Sequence, residues 1–349
     1  MKTLSKSHSE IIKGVAILLM VFHHLFRFPD RVPESFPIHF LVPGAPIEYQ
    51  IGVFGKICIT LFLFVTGYGL GTRRNKLTFQ EWGRRIGSFY MIYFVNLVVL
   101  GGVSWFFFRS STSESGWWTG FDWSLKGLLG NLFLWRPSYS LEWGFAKIYM
   151  VILVVAWPLC EMLKRFGAYP LAGISLILYS ISGYLSGFDN ILSFQAAFVV
   201  GYILSHWPEN DFHRFLCAVS ERSWLSRFAC VCVLTCIAFL LRKKTNEQTD
   251  WIVALFLVSA IALGAELSSY ISRFLSLLGK YSAGMWLNHT FIFYYWFNEP
   301  FYSMRYSPLL LFVAVSVSLA MAMLMQPLIS ALQFLIYAKP QVPIRKANG

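Results

Sequence analysis

Long apolar runs alternate with short polar connections along the whole chain. A membrane-spanning helix needs about 20 mainly apolar residues, and runs of this kind recur from one end to the other. We predict ten membrane-spanning helices, at residues 11–28, 51–70, 84–108, 143–163, 168–186, 190–206, 224–241, 251–267, 283–298 and 308–337. The pattern contains no linker and no internal repeat, so it predicts an all-α, polytopic membrane protein with one domain over residues 1–349.

The composition agrees with this pattern. Hydrophobic residues make up 56% of the chain and charged residues only 13%, whereas a soluble domain carries about 25% charged residues. This composition therefore disfavours a soluble globular enzyme. The net charge of +12 indicates contact with anionic lipid headgroups in a membrane protein, so we expect membrane lipids and no nucleic acid among its partners.

The positions of lysine and arginine predict the orientation. They cluster at the N-terminus, between the second and third spans, and at the C-terminus. Ten spans put these regions on one side, and the positive-inside preference makes both termini cytoplasmic. The connection Arg242-Lys243-Lys244 disagrees, because it falls on the outer side. A segment near residues 268–281 is predicted to form an interfacial helix on the cytoplasmic side.

Two histidines are predicted to lie at similar depth inside the membrane. His24 follows Lys13 by eleven residues, which is roughly 16 Å along a helix, and His289 follows Lys280 by nine residues, roughly 13 Å. Ionisable groups inside a span are costly and usually face a cavity or a partner. Both histidines are therefore candidates for a functional site.

Three interpretations of these histidines compete. The first is a structural hydrogen bond between helices, worth about 0.6 kcal/mol. The second is a metal site, which is disfavoured because His23 and His24 are adjacent and point about 100° apart on a helix. We also expect no carboxylate or thiolate near them at the same depth, and no metal. The third is a general base, a role that suits neutral imidazole.

Basic residues gather at the predicted inner end of the third span. Arg84 and Arg85 begin this span, and Arg73 and Arg74 lie just before it. They either anchor the topology or clamp phosphate groups, which guanidinium binds in a bidentate manner.

The predicted outer loop before the fourth span is rich in tryptophan. Glu142, Trp143 and Lys147 lie at the outer end of that span. The tryptophans form either an aromatic belt at the interface or a platform for binding sugars.

Three segments, in chain order, resemble motifs of the acyltransferase-3 family. Residues 10–24 run from Glu10 through Lys-Gly-Val-Ala to His24, which is similar to the family's first-helix signature. Residues 62–68 (Phe-Leu-Phe-Val-Thr-Gly-Tyr) resemble the second-helix motif. Residues 278–290 resemble the late helix, Gly-x-x-Ser-x-x-x-Trp-Leu-x-His. The order of these motifs is more specific than any one of them.

The chain departs from the family pattern at three positions. Thr66 replaces a serine of the second-helix motif, and Thr60 stands where an aspartate is common. Ser88 follows Arg85 by three residues, where the family often has a second arginine.

The resemblance implies acyl transfer from cytoplasmic acyl-CoA, with acetyl-CoA the expected donor, at a bacterial cytoplasmic membrane. The implied acceptor is a hydroxyl of a carbohydrate or cell-surface glycan at the outer side. His24 would act as a base or would itself accept the acyl group. The site residues expected on this basis are His24, His23, Glu10 and His289 for catalysis, Lys13, Arg73, Arg74, Arg84 and Arg85 for the donor, and Glu142, Trp143 and Lys147 for the acceptor.

Two alternatives belong to other functional classes. A secondary transporter or exporter of a polysaccharide or small glycoside would use the histidines as a proton relay. A membrane receptor or scaffold is the second alternative. It leaves the two histidines and the basic inner patch without a common functional explanation. The sequence predicts no particular oligomeric state.

Overall fold

A computed structural model describes residues 4–44, 46–73, 77–112, 116–185, 189–207, 210–245 and 247–337. Within these ranges the regular structure is helical and no strand forms, apart from one bridge between His39 and Tyr306. The all-α prediction is therefore confirmed.

Fifteen α-helices form in the described ranges. They are α1 (Lys6–Phe26), α2 (Ile47–Gly55), α3 (Cys58–Gly71), α4 (Phe79–Phe107), α5 (Leu125–Leu132), α6 (Gly144–Val151), α7 (Trp157–Leu163), α8 (Ala168–Ile181), α9 (Asp189–His206), α10 (Asp211–Ser220), α11 (Trp224–Thr245), α12 (Asp250–Gly264), α13 (Ser269–Thr290), α14 (Asn298–Tyr302) and α15 (Ser307–Tyr337). A π-helical segment, Ile152–Ala156, joins α6 to α7, and a second one, Phe291–Trp296, extends α13.

Each predicted span overlaps at least one of these helices. By length and apolar composition, five helices of the described residues can cross a membrane, or seven if each of two bent helix pairs forms one span. The protein is therefore a multi-pass integral membrane protein. The count of ten spans and the cytoplasmic position of the termini stay predictions.

The first helix lies at the centre of the molecule. It packs against α2, α3, α12, α13 and α15. Its crossing with α13 is close because glycines stand on both sides: a Cβ atom at Gly14 would lie 2.0 Å from the carbonyl oxygen of Leu275, and one at Gly279 would lie 1.8 Å from that of Glu10. Small residues of this kind let helix backbones approach in a membrane. The crossing fixes the two histidine-bearing helices relative to each other.

Helices α3 and α9 form a second close crossing of the same kind. A Cβ atom at Gly67 would lie 1.9 Å from the carbonyl oxygen of Phe198, and one at Gly201 would lie 2.2 Å from that of Phe64.

Residues 268–281 do not form a helix of their own, so this part of the prediction is wrong, whereas their place at the cytoplasmic interface stays a prediction. They are the first half of α13, which continues without a break to Thr290. The half is amphipathic: Leu278 and Gly279 are buried against the neighbouring helices, whereas Tyr270 and Lys280 are exposed. The polar residues in this half are the reason that the sequence pattern suggests a surface helix.

Candidate active site

A basic cavity of about 600 Å³ opens beside the N-terminal end of α1, and we call it the inner cavity, a name that follows the predicted orientation of the chain. Its lining includes the cations Lys6, Lys13, Arg85 and Lys280, and no described acidic side chain. Two of these cations, Lys13 and Arg85, belong to the predicted donor site. Ser88, the departure from the family pattern, also lines this cavity.

The other predicted donor residues lie elsewhere. Arg73 pairs with Glu81 at 2.6 Å, close to the start of α4. Arg84 does not line the inner cavity, and its guanidinium lies 5.9 Å from the centre of the Tyr337 ring. Arg74 lies outside the described residues. Of the two adjacent arginines, only Arg85 faces the cavity.

A second cavity, of about 450 Å³, lies beside the C-terminal part of α1, and we call it the outer cavity. The polar and aromatic side chains of interest in its lining are His23, His24, Lys56, Glu142, Lys147, Phe145 and Trp286. Four of these, His23, His24, Glu142 and Lys147, are predicted site residues that come from two separate parts of the chain.

His24 and His289 lie side by side. Their ring centres are 5.1 Å apart, in agreement with the similar depth that the sequence predicts. His289 is fully buried, and its Nδ1 is 2.8 Å from the carbonyl oxygen of Trp286. A carbonyl oxygen can only accept, so Nδ1 carries the proton and Nε2 keeps a free lone pair. This buried Nε2 has no hydrogen-bond partner in the described structure and can accept a proton.

Glu142 provides a carboxylate beside the histidines, contrary to expectation. Its Oε1 lies 3.9 Å from Nδ1 of His24. Arg31 holds the same oxygen at 2.9 Å, while the hydroxyls of Tyr295 and Ser140 donate to Oε2 at 2.7 and 3.1 Å. Within the described ranges, no group of three or more His, Cys, Asp or Glu could hold a metal ion.

A π-helical segment directly after α13 supplies two tyrosines to this cluster. Tyr294 donates its hydroxyl to the carbonyl oxygen of His24, and Tyr295 binds Glu142. π-Helical turns occur frequently at functional sites. The sequence pattern does not single out either tyrosine, although they follow His289 by only five and six residues.

Arg31 is a third residue of this cluster that the sequence pattern does not single out. Its guanidinium lies 4.2 Å from the ring centre of Phe28, 4.8 Å from that of Trp117 and 5.0 Å from that of Tyr294. These rings and Glu142 fix its position. Trp117 belongs to the tryptophan-rich loop, so part of this loop covers the histidine site.

A comparison with known families decides the class of the protein. A family model described as an acyltransferase domain matches residues 9–326, a range that contains both cavities' predicted site residues. The chain belongs to the acyltransferase-3 family. No curated protein and no solved structure matches the chain.

Within this acyltransferase, Trp143 and Lys147 are in different surroundings. Trp143 is fully buried, and its indole N–H donates to the carbonyl oxygen of Leu287 at 2.8 Å. It does not line the outer cavity, and it ties the start of α6 to α13. Lys147 lines the outer cavity and donates to the carbonyl oxygen of Trp135 at 3.2 Å.

Glu10 and His23 both make contacts that hold the acyltransferase helices together. Glu10 accepts a hydrogen bond from Ser276 at 2.8 Å, which links α1 to α13. His23 donates from Nδ1 to the carbonyl oxygen of Gly52 at 2.8 Å, which links α1 to α2. His23 also lines the outer cavity.

Trp286 is the described residue that lines both cavities of the acyltransferase. Its ring centre lies 4.5 Å from that of Phe145, 6.1 Å from that of Phe62 and 6.5 Å from that of Phe89. We call these four rings the aromatic partition. It separates the basic inner cavity from the cavity that contains the histidines.

Proposed function

We propose that the protein moves an acyl group from acyl-CoA in the inner cavity to an acceptor hydroxyl in the outer cavity. Acetyl-CoA is the expected donor. The acceptor is a carbohydrate or a cell-surface glycan, and the location is a bacterial cytoplasmic membrane. The observation that carries this proposal is the pair of cavities that share Trp286 as a wall. One cavity has the charge for a phosphorylated donor, and the other has a base for an alcohol.

The inner cavity fits the donor by its charge. CoA carries several phosphate groups, and Lys6, Lys13, Arg85 and Lys280 provide cations without a described acidic neighbour in the lining. Lysine and arginine bind phosphate through charge-assisted hydrogen bonds. The apolar side chains near Trp286 suit the thioester end of the pantetheine arm.

The proposed reaction is a direct transfer with a histidine as base, and it requires the Trp286 ring to turn aside so that the thioester reaches the outer cavity. The acceptor oxygen attacks the thioester carbon while His24 takes the hydroxyl proton. The carbon–sulfur bond then breaks, and the departing CoA sulfur receives that proton, so an ester and a free thiol result. Glu142, 3.9 Å from His24, stabilises the protonated imidazole, and the buried ring of His289, 5.1 Å from that of His24, holds the base in place.

The decisive experiment uses purified protein in lipid nanodiscs. Acetyl-CoA is added with and without a mixture of sugar acceptors, and free CoA is measured with a thiol reagent. We expect saturable acetyl-CoA binding in a thermal-shift assay and release of CoA that increases with acceptor. If acyl-CoA neither binds nor reacts, the proposal fails and transport assays become the next step.

The arginine that faces the inner cavity should matter more than its neighbour. Arg85→Gln removes a phosphate contact, and a charge-assisted hydrogen bond contributes about 1.5–3 kcal/mol, so KM for acetyl-CoA should rise by about 10- to 100-fold. Arg84→Gln, the matched variant, should raise KM far less because Arg84 lies outside the lining. Steady-state kinetics at varied acetyl-CoA measure both. Equal effects would contradict this placement of the donor.

The aromatic partition should limit the length of the acyl group. Trp286→Ala removes the ring that closes the inner cavity, so the ratio of kcat/KM for butyryl-CoA to that for acetyl-CoA should rise by about tenfold. A ratio within one protein does not depend on the amount of folded enzyme. Trp224→Ala, at an exposed position on α11, is the control. An unchanged ratio in the Trp286 variant would show that the acyl group does not reach the partition.

A further inference from the structure

A third cavity, of about 640 Å³, adjoins the outer cavity at the C-terminal end of α1. We call it the basic cleft. It shares two lining residues, His23 and Lys56, with the outer cavity. A ligand in the basic cleft therefore lies next to the histidine site, at the end of α1 away from the inner cavity.

Two of the cations in the basic cleft have carboxylate partners. Arg242 is buried and pairs with Asp250 at 2.7 Å. Lys56 pairs with Glu247 at 2.6 Å. The Arg242 guanidinium also donates to two carbonyl oxygens of α2, so it holds α11 against α2.

The other two cations are free to bind a ligand. Arg27 donates to the hydroxyl of Tyr49 at 3.2 Å, and neither Arg27 nor Lys243 forms an ion pair within the described residues. Both line the basic cleft. The cleft thus has a positive charge that its own carboxylates do not balance.

The neighbouring groups suit a polyhydroxylated molecule. The amides of Gln50 and Gln248 line the cleft, and an amide can both donate to and accept from hydroxyl groups. The rings of Phe28, Phe54 and Phe239 line it as well.

The position of these cations also explains a conflict in the sequence. The cluster at residues 242–244 opposes the topology that the other basic residues predict, because lysine and arginine normally accumulate on the cytoplasmic side. Arg242 and Lys243 line the cleft at the histidine end of α1. A binding function at this end accounts for positive charge where topology alone would not place it.

We propose that the basic cleft binds an anionic group of the acceptor, a carboxylate or a phosphate, through Arg27 and Lys243. The hydroxyl to be acylated then extends past His23 and Lys56 to His24. This inference rests on the proposed acyl transfer and adds the acceptor's chemical class to it. Continuity with the histidine cavity favours an acceptor over a lipid headgroup, which would need no path to His24.

The test compares acceptors that differ only in charge. Methyl glucuronide is paired with methyl glucoside, and glycerol 3-phosphate with glycerol, so that the two arms distinguish a carboxylate from a phosphate. The protein is held in phosphatidylcholine nanodiscs, and transfer of labelled acetyl groups gives kcat/KM for each acceptor. Binding of each anion is also measured by equilibrium dialysis, which does not depend on turnover.

We expect the wild-type protein to prefer the charged member of at least one pair by about tenfold or more. Arg27→Gln and Lys243→Gln should each bring that ratio towards one and weaken anion binding. Lys244→Gln is the matched control, because Lys244 is exposed and lies next to Lys243 but does not line the cleft. This variant should keep the wild-type ratio.

Other outcomes overturn the inference in distinguishable ways. Acetyl transfer with no preference for either charged acceptor would refute the anionic cleft and leave the acyltransferase proposal standing. Anion binding that depends on Arg27 and Lys243, in a protein that transfers nothing, would refute the acyltransferase proposal instead. Loss of anion binding only in nanodiscs of phosphatidylglycerol would assign the cleft to lipid headgroups and refute an acceptor role.

Discussion

Replacing His24 with asparagine is expected to lower the rate of acetyl transfer by about 10²- to 10⁴-fold, the range that a positioned general base contributes. Asparagine retains a polar group of similar reach but has no basic nitrogen. The donor should still bind, because the inner cavity does not include His24. CoA release and acetyl-CoA binding, measured on the same nanodisc preparation, separate the two effects.

The control for this variant is His39→Asn. His39 is exposed in the loop after α1, where it pairs with Tyr306, so its loss should leave transfer near the wild-type rate. Full activity of His24→Asn would show that His24 is not the base. The remaining candidate would be His289, whose Nε2 has a free lone pair. Loss of donor binding as well as turnover would indicate a disturbed fold rather than lost chemistry.

The second large effect is expected at a helix crossing. In Gly67→Ala, the new Cβ atom would lie 1.9 Å from the carbonyl oxygen of Phe198, so α3 and α9 would have to separate. Overpacking of a tight interior costs about 1–3 kcal/mol and occasionally more. The thermal unfolding midpoint in detergent should fall clearly, and the yield of folded protein with it.

Gly69→Ala is the matched control, two residues away on the same helix. A Cβ atom at Gly69 would meet no atom within 4 Å, and alanine favours a helix over glycine by about 1 kcal/mol. Its midpoint should be equal to or above that of the wild-type protein. Equal destabilisation by both changes would mean that the α3–α9 contact is not as close as described.

The sequence predicts the helical class and the similar depth of His24 and His289 because both follow from one-dimensional quantities. Apolar length sets the spans, and the rise per residue sets the depth of a side chain below a charged residue. Depth says nothing about rotation or neighbours, however. Two residues can lie at one depth on opposite sides of a bundle, so their contact needed the structure.

The contacts of Glu142 with Arg31, Tyr295 and Ser140 could not be predicted in this way. Arg31 and Glu142 are 111 positions apart, and each lies in or beside a connection rather than within a periodic apolar run. The tyrosines reach the cluster through a π-helical segment, which changes the direction of every side chain that follows it. A hydropathy pattern does not indicate where a helix changes from α to π geometry.

The two arginines at the start of α4 illustrate the same limit. Adjacent residues on a helix point about 100° apart, so only one can face a given cavity. The sequence assigns Arg84 and Arg85 equally to the donor, whereas the packing of α4 turns Arg85 inward and leaves Arg84 beside Tyr337. An error in helix rotation of one residue would reverse this choice.

The aromatic partition has a consequence for the cell that holds the protein. If the polar cavities in this helix bundle were joined by a continuous column of water, protons and ions would leak through the membrane. The rings packed around Trp286 interrupt such a column. Under the proposed reaction, donor and acceptor would therefore bind at the same time from opposite sides of the membrane without dissipating the ion gradient across it.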